Sequence, residues 1–185
     1  MEKNEQNIKI TILGQTESGK SQLIYRFIHY NSPQEDDPTI EDRYHTCINI
    51  EGKDYEIEIL DTASEEDFQN MMDMWISFGD GFMLIFAIND KETFEKIKMK
   101  RDRALLGKKG VKYPMILVGN KQDLENERQV LYEEAKDLAD SWEISYIETS
   151  AKTNYNCKEA FEILAKDIIK FRNELKNKKK KCIIV

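Results

Sequence analysis

One stretch restricts this chain more than any other: Ile8 to Ser21, IKITILGQTESGKS. Ile8, Ile10, Thr11, Ile12 and Leu13 are apolar or β-branched and predict a buried strand. Gly14 ends it. Gly14 to Ser21 then fits the spacing GxxxxGK[ST], and Leu23, Ile24, Phe27 and Ile28 fall on one face of a following helix. Strand, glycine loop and helix in that order can cradle a phosphate chain, because loop N–H groups and a helix N-terminus attract anions. In such a cradle Lys20 reaches the outer phosphates and the Ser21 hydroxyl sits on Mg²⁺. A chance Gly/Ser turn is the plain alternative, and the flanking strand and helix argue against it.

The 185 residues suit one domain, and 40% hydrophobic content suffices for one core. No run approaches the ~18 apolar residues of a membrane span; the longest, Phe82 to Ile88, is strand-sized. The polar N-terminus MEKNEQN has no signal-peptide core. Cys47, Cys157 and Cys182 are scattered and odd in number, which suits a reducing compartment better than a disulfide framework. The net charge of −7 is uneven: residues 170–185 carry seven basic groups and one acid, so that end is +6 and the rest −13. An acidic body is a poor partner for nucleic acid.

Strand and helix signals alternate, the pattern of a parallel α/β sheet. A first helix spans about 20 to 30, and an irregular polar stretch with Pro33 and Pro38 follows it. Tyr44 to Ile50 and Tyr55 to Leu60 read as hairpin strands around Glu51-Gly52-Lys53. Asp61 to Glu66 reads as a polar loop, followed by a short helix through Met71, Met72 and Trp75. Gly81 to Ile88, Met115 to Val118 and Ser145 to Ile147 are further strands. Helices through Phe94 to Leu105, Val130 to Trp142 and Cys157 to about Lys176 separate or follow them. Ligand loops belong at the carboxyl ends of such strands, where Gly14 to Ser21, Asp61, Asn120 to Asp123 and Ser150 to Lys152 all fall.

Asn120-Lys121-Gln122-Asp123 follows the apolar run MILVG. A carboxylate there can accept from both the ring N–H and the exocyclic amine of guanine. Adenine lacks that pair and leaves the acid unmatched, a mismatch worth about 10⁴ to 10⁵ in discrimination. Taken alone, the segment is equally a turn with a capping Asp.

With GQTESGKS, DPTIEDRY (Asp37 to Tyr44), DTASEE (Asp61 to Glu66), GNKQD (Gly119 to Asp123), ETSAK (Glu148 to Lys152) and CIIV in that order, the chain resembles the Ras branch of the small GTPases from end to end. The resemblance implies a P-loop NTPase fold. Its sheet has six strands, mostly parallel with one antiparallel, and about five helices flank it. Residues 1–172 form a GTP-binding domain, and 173–185 a flexible polybasic tail with a CaaX motif. It implies GTP and GDP as ligands and Mg²⁺ as cofactor, the metal held by Ser21, Thr39 and, through water, Asp61. The phosphates lie against Gln15, Thr16, Glu17, Ser18, Gly19, Lys20, Ser21 and Gln22. Thr39 and Ser64 meet the γ-phosphate, with Lys20, Thr39 and Glu65 the catalytic candidates. Asn120 and Asp123 secure the base, with Lys121 alongside. Ser150 braces that loop, the Ala151 N–H meets the guanine carbonyl and Lys152 covers the ring. Taken alone, the SAK segment reads as a helix N-cap region.

Four departures surround the γ-phosphate. Most Ras proteins have glycines at the positions of Thr16 and Glu17. Thr16 stands in the path of an arginine finger, which is worth about 10³ to 10⁵ in rate, and Glu17 is expected to face solvent. Ser64 replaces a freely bending glycine. Glu65 replaces the glutamine that orients water; ionised, it accepts but does not donate. Loss of stimulation by an ordinary GTPase-activating protein and slow or altered turnover are the expectations. Glu65 could instead polarise the water, or stay protonated beside the phosphate and mimic the amide. Upstream, Ser32 stands where the family places a phenylalanine against the base, and Asp36 where a tyrosine covers the phosphates; Tyr30 could take over the packing.

Asp37, Pro38, Thr39, Ile40, Glu41, Asp42, Arg43 and Tyr44 match the Ras effector segment, so a Ras-type effector and a guanine-nucleotide exchange factor are the implied protein partners of a monomer. Lys91 to Lys112 holds nine basic residues against three acids, in keeping with a solvated helix face or contact with an anionic bilayer or a regulator. Cys182 to Val185 is a CaaX sequence, and Lys178 to Lys181 supplies the second membrane signal that a single lipid needs. The expectation is a switch anchored through Cys182 at the cytoplasmic face of the plasma membrane. An essentially non-hydrolysing GTP-bound adaptor is the alternative. A P-loop kinase is a weaker third, since NKQD and SAK have no role there.

Overall fold

In the computed structural model, which describes residues 6–29, 41–62 and 69–183, the first apolar run splits its side chains between two cores. Ile8, Ile10 and Ile12 join one cluster and Leu13 the other. Two neighbouring runs divide in the same way: Met83, Ile85, Ile116 and Val118 on one side, Phe82, Leu84, Phe86, Met115 and Leu117 on the other. A strand buried on both faces is apolar throughout, and that requires helices above and below the sheet.

The sheet has six strands: β1 (Asn7–Gly14), β2 (Glu41–Ile50), β3 (Lys53–Thr62), β4 (Gly81–Ala87), β5 (Met115–Asn120) and β6 (Ser145–Glu148). Their order is β2-β3-β1-β4-β5-β6, with only β2 antiparallel to its neighbour. This is the fold class expected. Glu51 and Gly52, at φ of 53° and 81°, close the β2–β3 hairpin as a two-residue turn with both residues left-handed.

Five α-helices flank the sheet among the described residues: α1 (Lys20–His29), α2 (Gln69–Phe78), α3 (Lys91–Gly107), α4 (Tyr132–Ser141) and α5 (Cys157–Ile183). A 3-10 stretch, Gln122–Glu127, joins β5 to α4. In α5, Cys157, Ala160, Phe161, Leu164, Ala165 and Ile168 recur at helical spacing and are buried. Phe27 of α1 stacks on Phe161 at 4.0 Å between ring centres. α3 starts at Asp90, whose carboxylate accepts from the N–H groups of Glu92 and Thr93.

Several boundaries differ from those expected. Asp61 and Thr62 are the last residues of β3, not the start of a loop, because β3 pairs with β1 as far as Asp61 and with β2 as far as Thr62. Asn120 likewise closes β5. β2 begins at Glu41, and α4 begins at Tyr132 rather than Val130. α5 continues to Ile183, past the end expected for this helix at about Lys176. That added stretch has neither Gly nor Pro, and four of its seven residues are lysine, a good helix former.

β1 lies between β3 and β4, so the chain leaves it in one direction and returns on the other side. Such a switch point opens a crevice at the carboxyl end of the strand, and the loop 14–21 lies there.

Candidate functional site: the phosphate loop and its neighbours

Gly14 begins the loop where β1 passes β4. A Cβ at this position would lie 2.5 Å from the Ile85 carbonyl oxygen and 2.9 Å from Ser18 Oγ, so only glycine fits. The loop turns tightly: Ser18, fully buried, donates from Oγ to the Gln15 carbonyl at 2.8 Å. Thr16 and Glu17 are exposed at its crest, and Glu17 has a φ of 63°. Gly19 has a φ of 81°, and a Cβ on it would meet Asn120 Nδ2 at 2.4 Å.

α1 then opens with Lys20, Ser21 and Gln22. Lys20 is 8% exposed, and its Nζ donates to the Gln15 carbonyl at 3.1 Å. Burial lowers its pKa, and the nearby Asp61 carboxylate opposes that shift. Ser21 Oγ donates to Asp61 Oδ2 at 2.5 Å. The fully buried Asp61 thus brings the end of β3 beside the start of α1. A hydroxyl and a carboxylate side by side are hard oxygen donors of the kind Mg²⁺ takes together with waters and substrate phosphates.

Asn120 ties the loop to two other segments. Its Nδ2 donates to the carbonyls of Ser18, at 2.9 Å, and Gly19, at 3.3 Å. Its Oδ1 accepts from Thr149 Oγ1 at 3.1 Å. Lys121, half-buried and left-handed at φ 65°, turns the chain into the 3-10 stretch. Asp123 accepts from Ser150 Oγ at 2.6 Å, and Lys152 Nζ lies 3.7 Å from its other oxygen. Ala151 is buried and Lys152 exposed. Residues from three distant parts of the sequence meet at one end of the sheet.

In the effector segment, Asp42 and Arg43 are exposed on β2 and Tyr44 packs against the core. The Arg43 guanidinium lies 5.2 Å from the Phe78 ring centre and 3.9 Å from Glu58. Ser32, Asp36, Asp37, Pro38, Thr39, Ile40, Ser64 and Glu65 lie outside the described residues, as does the side chain of Cys182 on α5.

Sequence reasoning passed over three parts of this site. Arg26 of α1 is buried and donates to the carbonyls of Ala151 and Lys152. Its signal was a lone charge among Leu23, Ile24 and Phe27 on an apolar helix face. Arg128 makes a two-pronged pair with Glu148, at 2.7 and 2.8 Å, which anchors the end of β6. Thr149 holds Asn120, but a threonine at a strand end carries no signal of its own.

A glycine loop between β1 and α1, with a lysine and a serine at the helix start and a carboxylate on β3, defines a phosphate-loop nucleotide-binding fold. The sequence model of the Ras family matches residues 9–170. Ras-related protein R-Ras of Mus musculus is 39% identical over 166 residues, covering 90% of this chain and 76% of that protein. Ras-like protein RAS2 of Hydra vulgaris is 37% identical over 187 residues, covering 98% and 97% respectively. Protein ras-1 of Neurospora crassa is 40% identical over 170 residues, covering 92% and 80%. The chain belongs to the Ras family of small GTPases.

Proposed function

We propose that this Ras-type GTPase binds GTP and GDP with Mg²⁺ and works as a membrane-anchored signalling switch whose off-step resists ordinary activators. One observation carries the binding half of the proposal. The Asn120 side chain joins the loop 14–21 to Thr149, which supports phosphate and base contacts acting together. In this reading the N–H groups of residues 15–22 and the Lys20 ammonium hold the phosphates, and the anion offsets the burial of Lys20. Ser21, Asp61 through water, and Thr39 hold the metal, which neutralises charge on the phosphates when bound. Asp123 accepts from guanine, with Lys121 and Lys152 against the ring and the Ala151 N–H on the carbonyl. Ser64 meets the γ-phosphate.

The off-step is inferred from Thr16, Glu17 and Glu65. Thr16 and Glu17 stand exposed on the loop crest where an activator's arginine would enter. Single-turnover GTP hydrolysis by the purified protein, with and without a Ras-type activating protein, tests this. The expected result is little stimulation; acceleration of about 10³-fold or more would refute it. The adaptor alternative predicts no hydrolysis on the same time course even without activator. The same crowded crest favours it.

An exchange factor would reload the site, and an effector would dock on residues 37–44. The anchor half rests on the lysine run and Cys182. Arg172 of α5 donates to the carbonyl of Asn7, at the amino end of β1. Arg172 therefore sits at the end of the strands opposite the phosphate loop, where an anchored tail following it would not obstruct nucleotide or effector. In cells, Cys182→Ser should move the protein from the cytoplasmic face of the plasma membrane into the soluble fraction. Unchanged partition would defeat the anchor.

A further inference from the structure

Arg26 lies on the buried face of α1, 6% exposed, six residues after Lys20. Its Nε donates to the Ala151 carbonyl at 2.6 Å and its Nη2 to the Lys152 carbonyl at 3.0 Å. The carbonyl before these, Ser150 O, accepts from the Tyr155 N–H at 3.1 Å and from Cys157 Sγ at 3.2 Å. Three consecutive carbonyls of the 150–152 turn are thus fastened from the α1 and α5 side. In a trans peptide the C=O and the next N–H point opposite ways. Fastening Ser150 O and Ala151 O on that side turns the N–H groups of Ala151 and Lys152 away from it.

Polar atoms aligned in advance cost nothing to reorganise when a ligand arrives. Arg26 is suited to this because a guanidinium reaches two carbonyls in fixed geometry and stays charged when buried. It also sits on the helix that carries Lys20 and Ser21, so the phosphate end and the base end of the site share one rigid element.

We propose that Arg26 is a positioning residue for base recognition: it holds the 151–152 turn so that its N–H groups meet the 6-carbonyl of a guanine base, and thereby sets how long the nucleotide stays bound. This rests on the guanine-nucleotide reading above.

The test uses the full chain loaded with GDP, with inosine diphosphate, or with 6-thio-GDP. Inosine diphosphate keeps the 6-carbonyl and ring N–H but lacks the exocyclic amine. The 6-thio analogue keeps the N–H and amine but carries sulfur, a weak acceptor, at position 6. Release rates are measured for the wild type, Arg26→Gln and Arg26→Lys. Arg26→Gln should speed release of GDP and inosine diphosphate by the same factor, about ten-fold or more. It should speed release of 6-thio-GDP distinctly less. Arg26→Lys, which keeps the charge, should fall between; if Arg26→Gln fails to fold, the lysine variant carries the same three-nucleotide comparison. Equal acceleration of all three nucleotides would mean general loosening and overturn the proposal, as would unchanged release. A wild type that retains no guanine nucleotide would instead overturn the functional reading beneath it.

Discussion

Removing the Asn120 side chain should do more damage than its size suggests. Asn120→Ala deletes the donor to Ser18 O and Gly19 O and the acceptor for Thr149 Oγ1. Asn120 is 1% exposed, so water cannot readily replace it. Each buried polar group left without its partner costs about 1–3 kcal/mol. The Gly19 carbonyl keeps its bond from the Leu23 N–H at 3.0 Å, so the loss falls on Ser18 O and Thr149 Oγ1. A total of about 3–5 kcal/mol follows, or roughly 10²- to 4 × 10³-fold in nucleotide affinity if the loop must be re-formed on binding. Asn120→Asp should be worse still at neutral pH, since a carboxylate would face two carbonyl oxygens. Burial and those oxygens would raise the pKa of the new acid. Its penalty should therefore be smallest below the ordinary carboxylate range and grow as pH rises through the raised value. Titration of each nucleotide-stripped variant with GDP between about pH 5 and 7 checks both points. If Asn120→Ala binds GDP as tightly as the wild type, or if Asn120→Asp does not improve on acidification, the proposed tie between loop and base segment is wrong.

Further outcomes are expected at the Arg128–Glu148 pair, at Glu17 and at the cysteines Cys47 and Cys157. Arg128→Ala leaves Glu148, whose side chain is 10% exposed, with the Tyr146 hydroxyl but no paired cation, and should lower unfolding stability by about 3 kcal/mol in urea titration. Replacing Arg128 and Glu148 together by Met and Leu should recover most of that loss. Glu17→Gly should raise stability by about 1 kcal/mol in the same assay, because a side chain at φ 63° carries left-handed strain that glycine lacks. Burial pushes the Cys157 thiol up to about 11 from 9.0. Its contribution to stability is then complete below pH 9.0, the unfolded value, and is lost as pH rises towards 11. The wild type should lose more stability than Cys157→Ala across that interval. At neutral pH iodoacetamide should modify the exposed Cys47 and leave Cys157 untouched until the protein unfolds.

Most of the architecture was legible because the strands of a parallel sheet are apolar on both faces and its helices on one. The runs ILVG and FMLIFA could hardly sit elsewhere than between two helical layers. The phosphate loop was legible because its glycines answer to sterics at Gly14 and Gly19, which leave a mark at fixed spacing. What stayed hidden depends on pairing across distance. Nothing near Arg26 in the chain says that its partners lie at 151 and 152. The link from Thr149 to Asn120, and the Arg128–Glu148 pair, are likewise meetings that only the finished sheet arranges. Strand ends were misjudged where polar residues finish a strand: Asp61 and Asn120 look like loop residues, yet the ladder includes them. The end of α5 was misjudged for the opposite reason. A lysine run carries no apolar periodicity to extend a helix, but its backbone propensity is helical.

Calorimetric titration of the nucleotide-stripped protein with GDP and with ADP, each with and without Mg²⁺, probes the site most directly. Tight binding of GDP that strengthens with Mg²⁺, and weak or undetectable binding of ADP, is the predicted result. Equal affinity for the two bases, or no effect of the metal, would contradict it.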